Sequence, residues 1–372
     1  MRRAVLAAVV SLAALASTAA GAGPPPVQAP AYYVASGLDG SVLATRAAAE
    51  PRAVASITKL MTVLVALGRL RLDEVVAVPA QAAGIGESSL DLRAGDRVTV
   101  RDLVLGALVP SANDAAATLA VAAGGTTERF VALMNAKARS LGMRDTRFVN
   151  PHGLDEPGHV SSARDAVTLL RAALRHDLVR WASGLARATI RGRVYEATND
   201  LAGTFAPLVG GKTGHTSGAG WSEVAAAREP GVVVYAAVLG SGSRERRNAD
   251  LEALLRFALA SYRPVAAISP TRTYALAGTA YGRPDVRLVA PLAIVRAARV
   301  DRPLLEQVVA PTRVALPVAK GQRLGEVRVY DGRRLVASSP LVAAAAVAEP
   351  GALGKAGWYA RRTVHHLWGL VS

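Results

Sequence analysis

Between residues 27 and 262 the apolar positions switch between two periods. Tyr32-Tyr33-Val34-Ala35, a Gly37-Leu38-Asp39-Gly40 turn and residues 41–45 read as two paired strands. Residues 56–70, 98–108, 114–123, 126–141 and 164–176 place apolar side chains at helical spacing. Ser56 stands at the start of the first of these helices, where a hydroxyl suits an N-terminus. Thr126-Thr127-Glu128 and Ser161-Ser162 open the last two. A Gly-rich stretch at 211–215 runs ahead of 221–227. Residues 231–239 have the β-branched density of a buried strand. Residues 249–262 close the region as an amphipathic helix. Strands at both ends around a helical middle predict an α/β sandwich on an antiparallel sheet, filling a domain at 27–262.

The texture changes at Arg263-Pro264. From 265 to 348, short Val-, Leu- and Ala-containing runs are broken by Gly or Pro every eight to twelve residues, the pattern of a small all-β domain. Residues 353–372 change again. Leu353, Gly357, Ala360, Val364, Leu367, Trp368 and Val371 share one helical stripe, while Lys355, Arg361, Arg362, His365 and His366 lie mostly elsewhere. A basic amphipathic helix with Trp358, Tyr359 and Trp368 suits a membrane surface; the competing reading is a helix packed on its own domain.

At the other end, Arg2 and Arg3 precede an apolar run at 4–16, and Ala20-Gly21-Ala22 is a small-x-small cleavage pattern. Residues 1–22 therefore read as a signal peptide, with an uncleaved anchor as the alternative. Either places the mature chain outside the cytoplasm. The 372 residues accommodate two domains after the leader. The net charge of +16 comes mostly from scattered arginines, which reads first as a compositional bias. Zinc-finger, RNA-binding and basic-zipper patterns are missing, so nucleic acid is not an expected partner. With no cysteine, disulfides and thiolate chemistry are excluded. His152 and His159 lack partners at metal-ligand spacing and read as loop residues; no metal or cofactor is expected.

Three short motifs carry the chemistry. In Ser56-Ile57-Thr58-Lys59, positions three apart share a helical face, so the hydroxyl can meet the amine. A lysine held in a dry, positively charged site has a lowered pKa and can take the serine proton. Ser111-Ala112-Asn113 offers a proton relay and an amide for a substrate carbonyl; alone it would be a turn and a cap. Lys212-Thr213-Gly214 supplies a cation, a hydroxyl and a close backbone approach; alone it would be a loop before a strand. Two of only five lysines fall in these motifs. In this chain order the three form the set found in penicillin-binding proteins and class A β-lactamases.

With these motifs, the chain resembles the D-alanyl-D-alanine carboxypeptidase family of low-molecular-mass penicillin-binding proteins. Ser88-Ser89-Leu90 with Ala94-Gly95-Asp96, His152-Gly153-Leu154-Asp155, Ser161-Ser162-Ala163-Arg164-Asp165, and His215-Thr216 with Gly218-Ala219-Gly220-Trp221 are similar to further segments of it. The resemblance extends, more loosely, through Gly321-Gln322 and Pro340-Leu341-Val342. It implies a penicillin-binding/β-lactamase-like transpeptidase fold, a small β-rich domain, and a C-terminal anchor helix at 353–372.

It also implies roles. Ser56 attacks the penultimate D-Ala carbonyl with Lys59 as base. Ser111 and Asn113 line the cleft, and Lys212 and Thr213 bind the terminal carboxylate beside Gly214. Backbone N–H groups of Ser56 and His215 form the oxyanion hole. Arg247, or Arg246 in a shifted alignment, helps hold the carboxylate; the bland reading of Arg247 is a solvated residue at a helix start. Thr198-Asn199-Asp200 matches the family only loosely.

The expected partners are peptidoglycan stem peptides ending in D-Ala-D-Ala, β-lactams as covalent inhibitors, and a membrane surface. The expected location is the periplasm or the outer face of the cytoplasmic membrane. A DD-endopeptidase would share all three motifs. A class A β-lactamase would need a Glu-x-x-x-Asn loop, which is not found between Ser111 and Lys212. A non-catalytic wall-binding module would be favoured if a motif residue were lost.

Overall fold

The computed structural model describes residues 8–15 and 23–368. They form two compact units, one from Ala22 to Ala260 and one from Ser261 onward together with the N-terminal segment.

The larger unit is built on an antiparallel sheet. Its strands are β1 (Ala31–Ser36), β2 (Val42–Arg46), β3 (Leu208–Thr216), β4 (Gly220–Glu229) and β5 (Val232–Ser241), in the order β2-β1-β5-β4-β3. The strand β5 opens with Val232-Val233-Val234-Tyr235, side chains that suit a pleated surface. It pairs with β1 on one side and β4 on the other. The strand β3 is the sheet's edge, so part of its backbone is open to a ligand. Lys212-Thr213-Gly214 lies inside β3, where the sequence suggested a loop ahead of a strand: the register runs Lys212–Val224, Thr213–Glu223 and His215–Trp221.

The longer helices of this unit are α1 (Lys59–Leu67), α2 (Val100–Leu108), α3 (Asn113–Gly124), α4 (Thr127–Ser140), α5 (Ala163–Ala173) and α6 (Arg244–Ala260). Every residue of α1 from Lys59 to Ala66 is buried. A helix that is apolar all round belongs at the centre of a domain, and α1 packs against α3, α4, α5 and α2. Thr126 and Ser162 accept hydrogen bonds from the backbone N–H of Arg129 and Asp165, the caps that their positions suggested. The helices read at 56–70 and 164–176 both end three residues early, and two starts also differ from the sequence reading. Residues 97–99 form a short strand before α2, and α6 begins at Arg244, five residues early. Ser243 and the charged run after it open that helix, a start that apolar periodicity alone does not mark.

Ser56 does not cap α1. It lies in a 3-10 turn, Ala55–Thr58, that feeds into the helix. Ala55 takes a left-handed backbone conformation, φ 48°, costly for a residue with a Cβ. Two glycines make the turn possible. A Cβ on Gly153 would sit 2.0 Å from the Ala55 carbonyl oxygen, and Gly153 itself has φ +91°. A Cβ on Gly214 would sit 2.5 Å from the Val54 oxygen. The loop at 152–155 and the strand β3 thus clamp the Ser56 turn from two sides.

The second unit has its own core, including Leu288, Leu304, Val308, Val327, Val329 and Leu341. Its main sheet contains Leu304–Pro311, Arg323–Asp331 and Arg334–Ala343. The segment Ala8–Leu15 forms a strand antiparallel to Leu304–Pro311. The Ala20-Gly21-Ala22 cleavage pattern lies outside the described residues. A final helix spans Ala352–Trp368. Leu353 is 90% exposed, while Trp358 and Tyr359 meet Tyr281 edge-on with ring centroids 5.6 and 6.2 Å apart. Among the described residues, no helix is long and apolar enough to cross a membrane.

The Gly153→Ala variant should lose about 2–4 kcal/mol, since its left-handed backbone and a Cβ clash with buried backbone act together. Calorimetry of the variant beside wild type checks this; an unchanged Tm would mean that the loop can retreat from the Ser56 turn.

Candidate active site

A cleft of about 360 Å³ opens on the larger unit and is lined by Ser56, Glu87, Ser88, Ser111, Asn113, Ala197, Thr198, Thr213, Gly214, His215, Trp221, Arg244 and Arg247. Most of the residues predicted from the sequence meet here, and Lys59 and Lys212 lie buried directly behind it. The Lys59 Nζ is 2.6 Å from Ser56 Oγ and 2.9 Å from the His152 carbonyl oxygen. Burial above all, and then the neighbouring Lys212 cation, hold the Lys59 amine well below the ordinary lysine range; Glu87 and Asp114 oppose this. A neutral amine beside a hydroxyl is the arrangement a general base needs.

The second lysine is built differently. The Lys212 Nζ donates to Ser111 Oγ at 2.8 Å and to the Thr213 carbonyl at 3.0 Å. Burial lowers its pKa to about 7, against the pull of Glu223. Ser111 has φ 65°, a left-handed conformation just ahead of α3. Thr213 Oγ1 is 2.7 Å from Thr198 Oγ1, which ties the strand to the 198–200 segment.

Asn113 was expected to hold a substrate carbonyl. Its Nδ2 donates to the Gly86 carbonyl at 2.9 Å, and its backbone N–H donates to the Ser88 carbonyl at 2.8 Å. One face of the amide is therefore committed to the cleft wall. The Ser-x-Asn segment does not make a side-chain cap for α3.

Arg247 is not a solvated helix-start residue. It is 1% exposed, and its guanidinium meets Glu223 at 3.0 Å and Asp200 at 2.8 Å, lying 5.7 Å from the Trp221 ring centroid. Arg246, the alternative, is exposed and is not among the cleft-lining residues. Arg244 does line the cleft and pairs with Asp200. His215 stacks on Trp221, ring centroids 3.9 Å apart.

Sequence reasoning missed Glu223 and Glu87 and left Asp200 without a role. Glu223 is fully buried on β4, and burial raises its pKa to about 7. A lone acid in Ser222-Glu223-Val224-Ala225-Ala226 was the available signal. Asp155, quoted only as part of a segment, accepts from Thr216 Oγ1 at 2.6 Å and from the Gly218 N–H at 2.8 Å, and so braces the β3–β4 turn. The two histidines lie in loops, as read from the sequence; His159 is buried and His152 half-buried. His159 Nε2 is 2.7 Å from Thr58 Oγ1, and burial lowers both His152 and His159 to about 4, so each is neutral at pH 7. Among the described residues, no group of three or more His, Asp or Glu is placed to hold a metal ion.

The Glu223 shift makes a stability prediction. Its folded pKa is raised above the unfolded value, so its contribution is full below pH 4.5 and is lost as pH rises through about 7. Glu223→Gln should therefore gain on wild type between pH 5 and pH 8, by on the order of 1–2 kcal/mol. Thermal unfolding at both pH values checks this; a change of opposite sign would mean that the Arg247 ion pair outweighs the cost of burial.

The model of a family described as D-alanyl-D-alanine carboxypeptidase matches residues 18–243. The carboxypeptidase DacD of Salmonella typhimurium is 30% identical over 364 residues, covering 91% of this chain and 90% of the relative. A D-alanyl-D-alanine endopeptidase of Pseudomonas aeruginosa is 42% identical over 133 residues, 35% of this chain and 43% of that protein. The crystal structure of penicillin binding protein 5 from Haemophilus influenzae superposes with a TM-score of 0.64 at 26% identity, covering 88% of this chain and all of that one.

Proposed function

The chain belongs to the D-alanyl-D-alanine carboxypeptidase family, and from that premise we propose how its cleft works as a serine-type carboxypeptidase on peptidoglycan stem peptides. The observation that carries the reading is the Lys59 amine 2.6 Å from the Ser56 hydroxyl, dry and held below its ordinary pKa.

A peptide ending in D-Ala-D-Ala lies along the edge strand β3. Its terminal carboxylate sits at the end of the cleft formed by Thr213, Arg244 and Arg247, with Lys212 behind. Ser56 Oγ attacks the penultimate carbonyl carbon and its proton passes to Lys59 Nζ. The N–H groups of Ser56 and His215 hold the oxyanion, which exists only along the reaction path. The C–N bond then breaks. The leaving amine takes the proton that Lys59 received, passed by way of Ser111, which Lys212 holds at 2.8 Å; D-alanine departs and Lys59 is neutral again. Water attacks the ester and gives a proton to Lys59, which returns it to Ser56 Oγ as the shortened peptide is freed. Because Arg247 already carries two carboxylates, it acts on the substrate chiefly as a fixed wall of charge, and Arg244 is the more accessible cation. Asn113 can still offer its Oδ1 and its second N–H to the substrate backbone.

A β-lactam mimics the same dipeptide and acylates Ser56. Residues 1–22 direct export, and the helix from Ala352 attaches the enzyme to the outer face of the cytoplasmic membrane. The exposure of Leu353 and Ala360 supports an apolar stripe left open at these two positions, while Trp358 and Tyr359 rest on Tyr281. The endopeptidase reading is favoured by the 42% identity to such an enzyme over 133 residues. It would use the same steps on a cross-linked donor.

Intact-mass spectrometry after penicillin treatment should show one adduct, lost in Ser56→Ala, and a synthetic peptide ending in D-Ala-D-Ala should release one D-alanine. An adduct without release would leave a penicillin-sensing module, and cleavage of a cross-linked dimer in its place would establish the endopeptidase. Removing residues 353–372 should abolish sedimentation with anionic vesicles while D-alanine release stays within about twofold. Undiminished sedimentation would overturn the anchor.

A further inference from the structure

We infer that Glu87 makes the cleft select peptides bearing a positive charge on the residue that precedes D-Ala-D-Ala. This rests on the carboxypeptidase reading above and narrows its substrate. Glu87 lines the same cleft as Ser56, Ser88, Ser111 and Asn113, and its side chain is exposed. Among the described residues it has no hydrogen bond or ion pair, in a chain with 44 Lys and Arg against 28 Asp and Glu. Asp200, Asp96 and Glu223 around the same unit are each held by an arginine; Glu87 faces the cleft unneutralised.

Its placement is held by other residues. Glu87 has φ 67°, a conformation that disfavours any side chain. Asn113 bonds the carbonyls on both sides of it, Gly86 through Nδ2 and Ser88 through its backbone N–H. Strain kept in place by a motif residue at a ligand cleft points to a function for the strained residue.

Glu87 also has a drawback for catalysis. Its charge raises the Lys59 pKa and so works against the neutral base. Arg244 and Arg247 collect at the Thr213 end, where the carboxylate binds, whereas Glu87 adjoins Asn113, on the side toward which the acyl half of the peptide extends. In a stem peptide the residue before D-Ala-D-Ala is a diamino acid. Its side-chain amine is a cation before cross-linking and a neutral amide afterwards. A carboxylate at this place distinguishes the two.

The test compares D-alanine release from Nα-acetyl-L-Lys-D-Ala-D-Ala, with a free ε-amine, and from the Nα,Nε-diacetyl peptide. Wild type should favour the free amine in kcat/KM by about fivefold at low salt, the size of an exposed ion pair, and less at high salt. Glu87→Gln should lose that preference through two changes of opposite sign: slower turnover of the cationic peptide and somewhat faster turnover of the neutral one. Glu87→Lys should invert the preference. Tm and penicillin acylation report that each variant is folded. An equal ratio in wild type and Glu87→Gln, or an equal loss on both peptides, overturns this inference alone. Release from neither peptide by wild type overturns the carboxypeptidase reading and this inference with it.

Discussion

Two ammonium groups buried behind one cleft set the terms for everything around them. Lys59 and Lys212 are both essentially inaccessible to water. Each is depressed chiefly by burial, and Lys212 further depresses Lys59. Two fully charged lysines in so dry a place would be prohibitively unfavourable. The resolution is a division of labour. Lys59 donates only to the Ser56 hydroxyl and the His152 carbonyl, and the Lys212 cation acts on it more strongly than either Glu87 or Asp114 does, so its neutral form is favoured. Lys212 has Glu223 nearby and keeps a pKa of about 7. The same residue type thus sits in two electrostatic settings: after burial, the main influence on Lys59 is a second cation and the main influence on Lys212 is a buried carboxylate.

That division requires three chain segments to hold their places against one another. The central helix α1 supplies rigidity because it is packed on every side. The Ser56 turn at its head is pressed between Gly153 and Gly214, where no side chain larger than hydrogen fits. Ser111 and Ala55 both take left-handed conformations without being glycine. Such strain persists only where surrounding packing over-determines it. Here the packing is the core of α1 and α3 beneath and the edge of β3 beside.

Much of this was legible in the sequence. The main helices and the strands near both ends of the larger unit followed from apolar period, and the three motifs picked out residues that the fold brings to one cleft, because each is a local spacing. The rest depends on what those residues touch. Lys212-Thr213-Gly214 read as a loop since its glycines mask a strand; pairing with Val224 and Glu223 overrides that composition. Arg247 looked solvated because its partners, Asp200 and Glu223, are 47 and 24 positions away. Glu87 carried no motif, and its importance comes from Asn113 fixing the backbone on either side. His152 contributes a carbonyl to Lys59, a role that its imidazole cannot advertise.

The charge pattern of the cleft explains why its arginines are arranged as they are. An unpaired, buried Arg247 beside Lys212 would push that lysine further toward its neutral form and would itself be left without a partner. Glu223 and Asp200 remove both problems at once, one from within the sheet and one from the 198–200 segment. The compensation is incomplete by design of the geometry: Lys212, Arg247 and Arg244 face two carboxylates, which leaves room for one more anion. In the mechanism proposed above, a peptide's terminal carboxylate supplies it, at the end of the cleft where Thr213 adds a hydroxyl. A peptide without that carboxylate, or with the chain continuing past it, would leave the surplus cation unmatched. On that proposal, preference for a free C-terminus follows from charge balance among five side chains, and not from the shape of the cleft alone.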